Sequence, residues 1–264
     1  MTVTAPPPKT KLPPRDVARA LHARFGIEAP SEIEVGLIAW HCGASVHWRP
    51  SGPADARATI AGARAILAID AHARGSARAR FSIAHELAHF LLHADFDGLE
   101  RLHGSAAPLG PRERAIEFQA DEFASELLLP ERFARPLCAR VPSPTLARVD
   151  EVARDFRVSL TVAGRSWPRW TRAPCAFFEA IRRGDGALLR RVVRSDTFRG
   201  ICIERRALRE GTLALDLLRT RGPVSLPASR THTQWWGSSL LDEPVVEECV
   251  PVADGVVVGW LTRG

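Results

Sequence analysis

Two histidines and a glutamate, in His85-Glu86-Leu87-Ala88-His89, carry the strongest chemical signal in this 264-residue sequence. H-E-x-x-H is the spacing at which two imidazoles share one divalent ion while the glutamate serves as a general base. The reason is mechanical. On a helix of 3.6 residues per turn, side chains four apart leave from one face and both rings reach the same ion. Glu86 comes off the same side, where it can take a proton from a water polarised by the metal. Zinc with three protein ligands keeps a fourth position for water and lowers its pKa to about 7. The chemistry this implies is hydrolysis of a peptide carbonyl.

The surrounding residues, Phe81-Ser-Ile-Ala-His-Glu-Leu-Ala-His-Phe-Leu-Leu-His93, favour a helix that presents the motif. Ser82 is the predicted N-cap of a helix starting at Ile83, since its hydroxyl can accept from a first-turn N–H. Ile83, Leu87, Phe90, Leu91 and Ala94 follow helical spacing and would bury one face. The alternative is a core helix carrying two incidental histidines.

The third ligand sets the subclass. A metzincin would place Gly at 92 and His at 95; this chain has Leu92 and Asp95. His93 has drifted round the helix from His85, which suits a supporting or surface role. A better third ligand lies in Ala115-Ile-Glu-Phe-Gln-Ala-Asp-Glu-Phe-Ala-Ser-Glu-Leu-Leu-Leu-Pro130. There Ile116, Ala120, Phe123, Ala124 and Leu127 make an apolar stripe, between Pro111 before the segment and Pro130 at its end. Glu117 and Asp121 are four apart on that helix. Glu117 would complete a His₂Glu site, and Asp121 would accept the outer N–H of a ligand imidazole. The competing reading is a solvated acidic face, since Glu113, Glu122 and Glu126 lie nearby. Mn²⁺ or Fe²⁺ could occupy such a site in place of Zn²⁺.

A developing oxyanion needs a donor, and the chain has no tyrosine. The role falls to a His, an Arg or backbone N–H groups; His103, in the loop 94–110 between the two helices, is the nominee. His41, His47 and His72 read as structural or exposed, not as ligands.

The two segments together resemble the ImmA/IrrE family of bacterial metallopeptidases. That pattern has an H-E-x-x-H helix, then a glutamate followed by Asn or Asp and Phe-Ala, and a closing Leu-Leu-x-Pro run. The likeness covers residues 78–130 directly. It implies zinc held by His85, His89 and Glu117, with Glu86 as catalytic base and Asp121 where the family has Asn or Asp. It also implies a cytoplasmic endopeptidase acting on a protein substrate, a helix-turn-helix repressor, to induce stress-response or mobile-element genes. A non-catalytic or DNA-binding transcriptional regulator that retains the fold is the alternative.

Whole-chain properties frame this reading. The Pro-rich start, Met1 to Arg15, has no apolar core of a secretory signal, and no apolar run reaches the length of a membrane span. Five scattered cysteines form no C-x-x-C pair, which argues for reduced thiols and against a thiolate metal site. The net charge is +6, and only Lys9 and Lys11 are lysines. Arginine on this scale can serve a nucleic-acid backbone, yet it also solvates helix faces, so charge alone gives DNA binding little support.

The fold class expected is α+β: a zincin-like helical core with a small sheet, a helix-turn-helix-like segment and a β-rich C-terminal domain. Residues 1–14 read as a flexible arm and 15–141 as the peptidase domain. Within it, Asp16 to Phe25 is helical, and Glu34 to Trp48 runs helix, glycine stop, strand. Ala58–Ala61 and Ala65–Asp70 form a hairpin around Gly62, whose sheet could offer an edge to an extended substrate. Residues 142–170 read as two short helices joined at Val158-Ser159. The second helix is cut short near Pro168, which favours packing over base reading. Residues 171–264 carry two hairpins, turning at 183–186 and at Asp254-Gly255, with Trp235-Trp236 either in the core or in an exposed contact. By resemblance this last part is an accessory, GAF-like domain suspected of sensing.

Overall fold

The structure, a computed structural model, describes residues 12–50, 56–96, 99, 109–198, 206–220, 228–232 and 245–263. Its α+β architecture divides into two compact units, Met1–Phe133 with Asp155–Ser159, and Ala134–Arg154 with Leu160–Gly264.

In the first unit, α1 (Pro14–Arg24) opens with proline at its first turn and buries Val17, Ala18 and Leu21. After α2 (Val35–His41), the chain turns at Gly43 into β1 (Ala44–Arg49). Gly43 has φ +94°, and a Cβ there would lie 2.8 Å from the Ala63 carbonyl oxygen, so both backbone angle and space require glycine. The hairpin is present as β2 (Ala56–Ala61) and β3 (Arg64–Asp70), antiparallel around Gly62. β1 pairs with β3 in parallel, giving the order β1-β3-β2 and leaving β2 at an edge. Ala58, Leu67 and Ile69 point into the core, while Ile66 is exposed.

The helix carrying the motif, α3 (Ala77–Leu92), starts six residues earlier than the sequence reading placed it. Its cap is Ser76, whose hydroxyl accepts from the Ala79 N–H at 3.1 Å, and Ser82 lies within the helix. Ala77-Arg-Ala-Arg are good helix formers, so the first available cap upstream wins. Its partner α4 (Pro111–Leu128) begins with Pro111 after Gly110, and the Glu113 carboxylate accepts from the Gly110 N–H at 2.6 Å. α3 lies between the sheet and α4, and α1 braces α4 from outside. Arg19 donates to Glu126 (3.0 Å) and Glu131 (3.1 Å), and the His22 ring bonds the Leu127 carbonyl at 2.9 Å. Glu126, which the competing reading would place on a solvated face, is buried and paired. α5 (Glu131–Ala139) follows.

The second unit holds the two short helices α6 (Leu146–Asp155) and α7 (Leu160–Ser166) and a sheet ordered β5-β4-β8-β7-β6. Its strands, all antiparallel to their neighbours, are β4 (Cys175–Arg183), β5 (Gly186–Arg194), β6 (Ala228–His232), β7 (Val245–Ala253) and β8 (Val256–Arg263). The two hairpins expected from the sequence are thus joined along β4 and β8. β4 is buried on both faces. Phe177 packs so closely on α7 that a Cβ at Gly164 would lie 2.3 Å from its ring. On the other face Phe178 joins Leu213, Leu215 and Leu218 of α8 (Leu213–Arg219), a helix the sequence reading did not foresee. The buried Glu247 carboxylate accepts from the Leu213 and Ala214 N–H groups at 2.8 and 3.0 Å and so caps that helix. Val162, Ala163 and Gly164 are turned into the core, so α7 serves packing. Trp235-Trp236 and the loop containing His103 fall outside the described residues. Among the described residues, no helix is long and apolar enough to cross a membrane.

Candidate metal centre

α3 and α4 bring three donor atoms together. His85 Nε2 and His89 Nε2 are 3.1 Å apart, and the Glu117 carboxylate reaches each at 3.3 Å, through Oε2 and Oε1 respectively. Ligands held at about 2.0–2.1 Å in a tetrahedral site are about 3.3 Å from one another, so this triangle has the dimensions of three corners. Two imidazoles and a carboxylate are also the donor set that suits zinc, and among the described residues they form the one such cluster of His, Cys, Asp and Glu. The residues fit the ion that the motif implies.

The charges around the triangle are uneven. Burial opposes a proton on His85, but hydrogen bonds to Asp121 (3.1 Å, at Nδ1) and Glu117 prevail and push its pKa up to about 10. Burial also works against the Glu117 carboxylate, yet both histidines hold it well below the usual range. His89, with no exposed surface, is lowered by burial and then by the charge of His85, against the pull of Glu117. Burial pushes Glu86 up to about 7, since the carboxylate is only 2% exposed; His85 lowers it, Glu117 raises it, and a hydrogen bond from the Ala58 backbone and the charge of Arg49 lower it.

Asp121 thus sits on the outer nitrogen of His85, and His93 stands behind His89 with its Nδ1 3.2 Å from the Nδ1 of His89. Gln119, which the sequence reading passed over, accepts at 2.9 Å from His93. Its place two residues past Glu117 carries no such signal, since the contact depends on how α3 and α4 face each other. His47 and His72 are exposed and His41 lies against the Phe25 ring, away from the triangle.

The family described as "Peptidase_M78: IrrE N-terminal-like domain" matches residues 43–167, a stretch that contains every member of this triangle. The chain belongs to the ImmA/IrrE family. It is 31% identical over 192 residues to the "Radiation response metalloprotease IrrE" of Deinococcus deserti. That alignment covers 70% of this chain and 66% of the relative, so the chain spans just under two thirds of the Deinococcus protein. A solved structure titled "Mycobacterium tuberculosis transcriptional regulator" superposes with a TM-score of 0.56 over 95% of this chain and 87% of that one. At 16% identity that likeness speaks for the fold alone.

Proposed function

We propose that the protein is a zinc-dependent endopeptidase that cleaves a regulatory protein. The observation that carries this reading is the His85–His89–Glu117 triangle with a buried carboxylate beside it. A divalent ion, which His85, His89 and Glu117 would hold, would supply Lewis acidity to a peptide carbonyl and to water. Glu86 would take a proton from the attacking water and return it to the leaving amine; a pKa raised to about 7 suits it for both transfers. Asp121 keeps the His85 ring oriented. The edge strand β2, whose Ala58 N–H bonds Glu86, runs beside the base and can pair with an extended substrate through its main chain. His103 is proposed as the donor to the oxyanion.

The substrate we propose is a helix-turn-helix repressor whose loss induces stress-response genes in the cytoplasm. Family membership and the Deinococcus relative's description as a radiation-response metalloprotease support that choice. Retention of Glu86 speaks against a purely structural metal, which needs no base. The test is incubation of the zinc-loaded protein with repressors encoded beside its gene. One discrete cut is expected from the parent protein. Glu86→Gln should keep zinc and lose cleavage, whereas Glu117→Ala should lose both. Undiminished cleavage by Glu86→Gln would overturn the mechanism.

A further inference from the structure

Behind His89 lies a chain of hydrogen bonds that fixes which of its nitrogens faces the triangle. His89 Nε2 points at His85 and Glu117, and its other nitrogen, Nδ1, meets Nδ1 of His93 at 3.2 Å. Two imidazole nitrogens in contact need one proton between them. His93 Nε2 is bonded in turn to the Gln119 amide oxygen at 2.9 Å, an atom that only accepts, so the proton of His93 belongs on Nε2. That leaves His93 Nδ1 as a lone pair, which obliges His89 to carry its proton on Nδ1 and to present a bare Nε2 to the metal.

We propose that His93 and Gln119 are positioning residues for the metal, a neutral relay that selects the metal-binding tautomer of His89. The proposal rests on the reading of His85, His89 and Glu117 as the metal site. The two ligand histidines then have unlike supports: a carboxylate behind His85 and an imidazole–amide pair behind His89. A reversed relay, with the Gln119 amide nitrogen donating, would put a proton on His93 Nδ1, and His89 would lose its donor bond.

The test is zinc affinity by chelator competition, together with two-bond ¹H–¹⁵N correlation spectra of the histidine rings. Gln119 is exposed, so Gln119→Met removes the acceptor without disturbing the core. It should weaken zinc binding about tenfold, at the lower end of the usual effect of such supporting groups, and the His93 ring should lose its fixed Nε2–H signature. His93→Leu should weaken zinc by 10- to 100-fold, and His93→Asn, whose amide oxygen can stand where Nδ1 does, should recover most of that loss. If His93→Leu does not fold, Gln119→Met carries the test alone. Parent-like affinity in both Gln119→Met and His93→Leu would overturn the relay and leave the metal site standing. Failure of the parent protein to bind zinc would overturn the site itself.

Discussion

Glu86 and His85 sit side by side on α3 and hold their protons for opposite reasons. His85 is held charged by Asp121 and Glu117 against burial, up to about 10, so an incoming metal must displace a proton from it. His89, lowered by burial, has none to give at neutral pH. Zinc affinity should therefore rise about tenfold per pH unit from pH 7 to 9, with one proton released per ion. Titration calorimetry in buffers of different ionisation enthalpy reads that proton directly. Glu86 works the other way. Its folded pKa of about 7 lies above the ordinary 4.5, so stability is full below pH 4.5 and falls as pH rises through about 7. The cost above pH 7 is up to roughly 3 kcal/mol. In chelator-treated protein, Glu86→Gln should thus melt higher than the parent at pH 8 and equally at pH 4.5. Equal melting at both would remove burial as the cause of the shift. At this scale the sequence was informative wherever helical spacing rules: His85, His89, Glu117 and Asp121 were all legible at i, i+4. Gln119 was not, because its role depends on how α3 and α4 are set against each other, which spacing within one helix cannot give.

Among the elements, the pair α3 and α4 is held by a third helix that carries none of the chemistry. Arg19 of α1 pairs with Glu126, which is 5% exposed and lies about two and a half turns past Glu117 on α4. Arg19→Ala should cost about 1–3 kcal/mol by leaving a buried carboxylate without its charged donor and with only the Glu131 backbone N–H, with a parallel fall in melting temperature. Arg19→Ala combined with Glu126→Leu should regain much of the loss, since replacing both partners removes the unpaired group. Helix existence and strand pairing were readable from period and glycine punctuation, as with Gly62 between β2 and β3. Helix beginnings were less so: Ser82 and Ser76 are both competent caps, and only the backbone decides between them. α8 escaped notice because its seven residues, Leu-Ala-Leu-Asp-Leu-Leu-Arg, are too few to establish a period, and its cap comes from Glu247 in a strand far along the chain.

For the whole molecule, net charge and topology pull in different directions on nucleic acid. A charge of +6 gives any duplex some attraction, but the helix that would have to enter a groove presents Val162, Ala163 and Gly164 to its own sheet. Duplex binding should be weak, indifferent to sequence and lost between 50 and about 200 mM salt in a fluorescence anisotropy titration. A sequence-selective complex surviving the higher salt would restore the DNA-binding reading.

The division of the chain has a consequence for biosynthesis. Residues 155–159 belong to the unit that holds the metal-binding triangle, although the 21 residues before them, Ala134–Arg154, belong to the other. Within that returning stretch Arg157 reaches back to the Glu34 carboxylate at 2.7 Å and to the Ile33 carbonyl at 3.4 Å. A nascent chain that has emerged only as far as Phe133 already possesses every residue of the triangle but not this clasp. The unit that holds the triangle thus gains its last contacts only after the first residues of the other unit have been made.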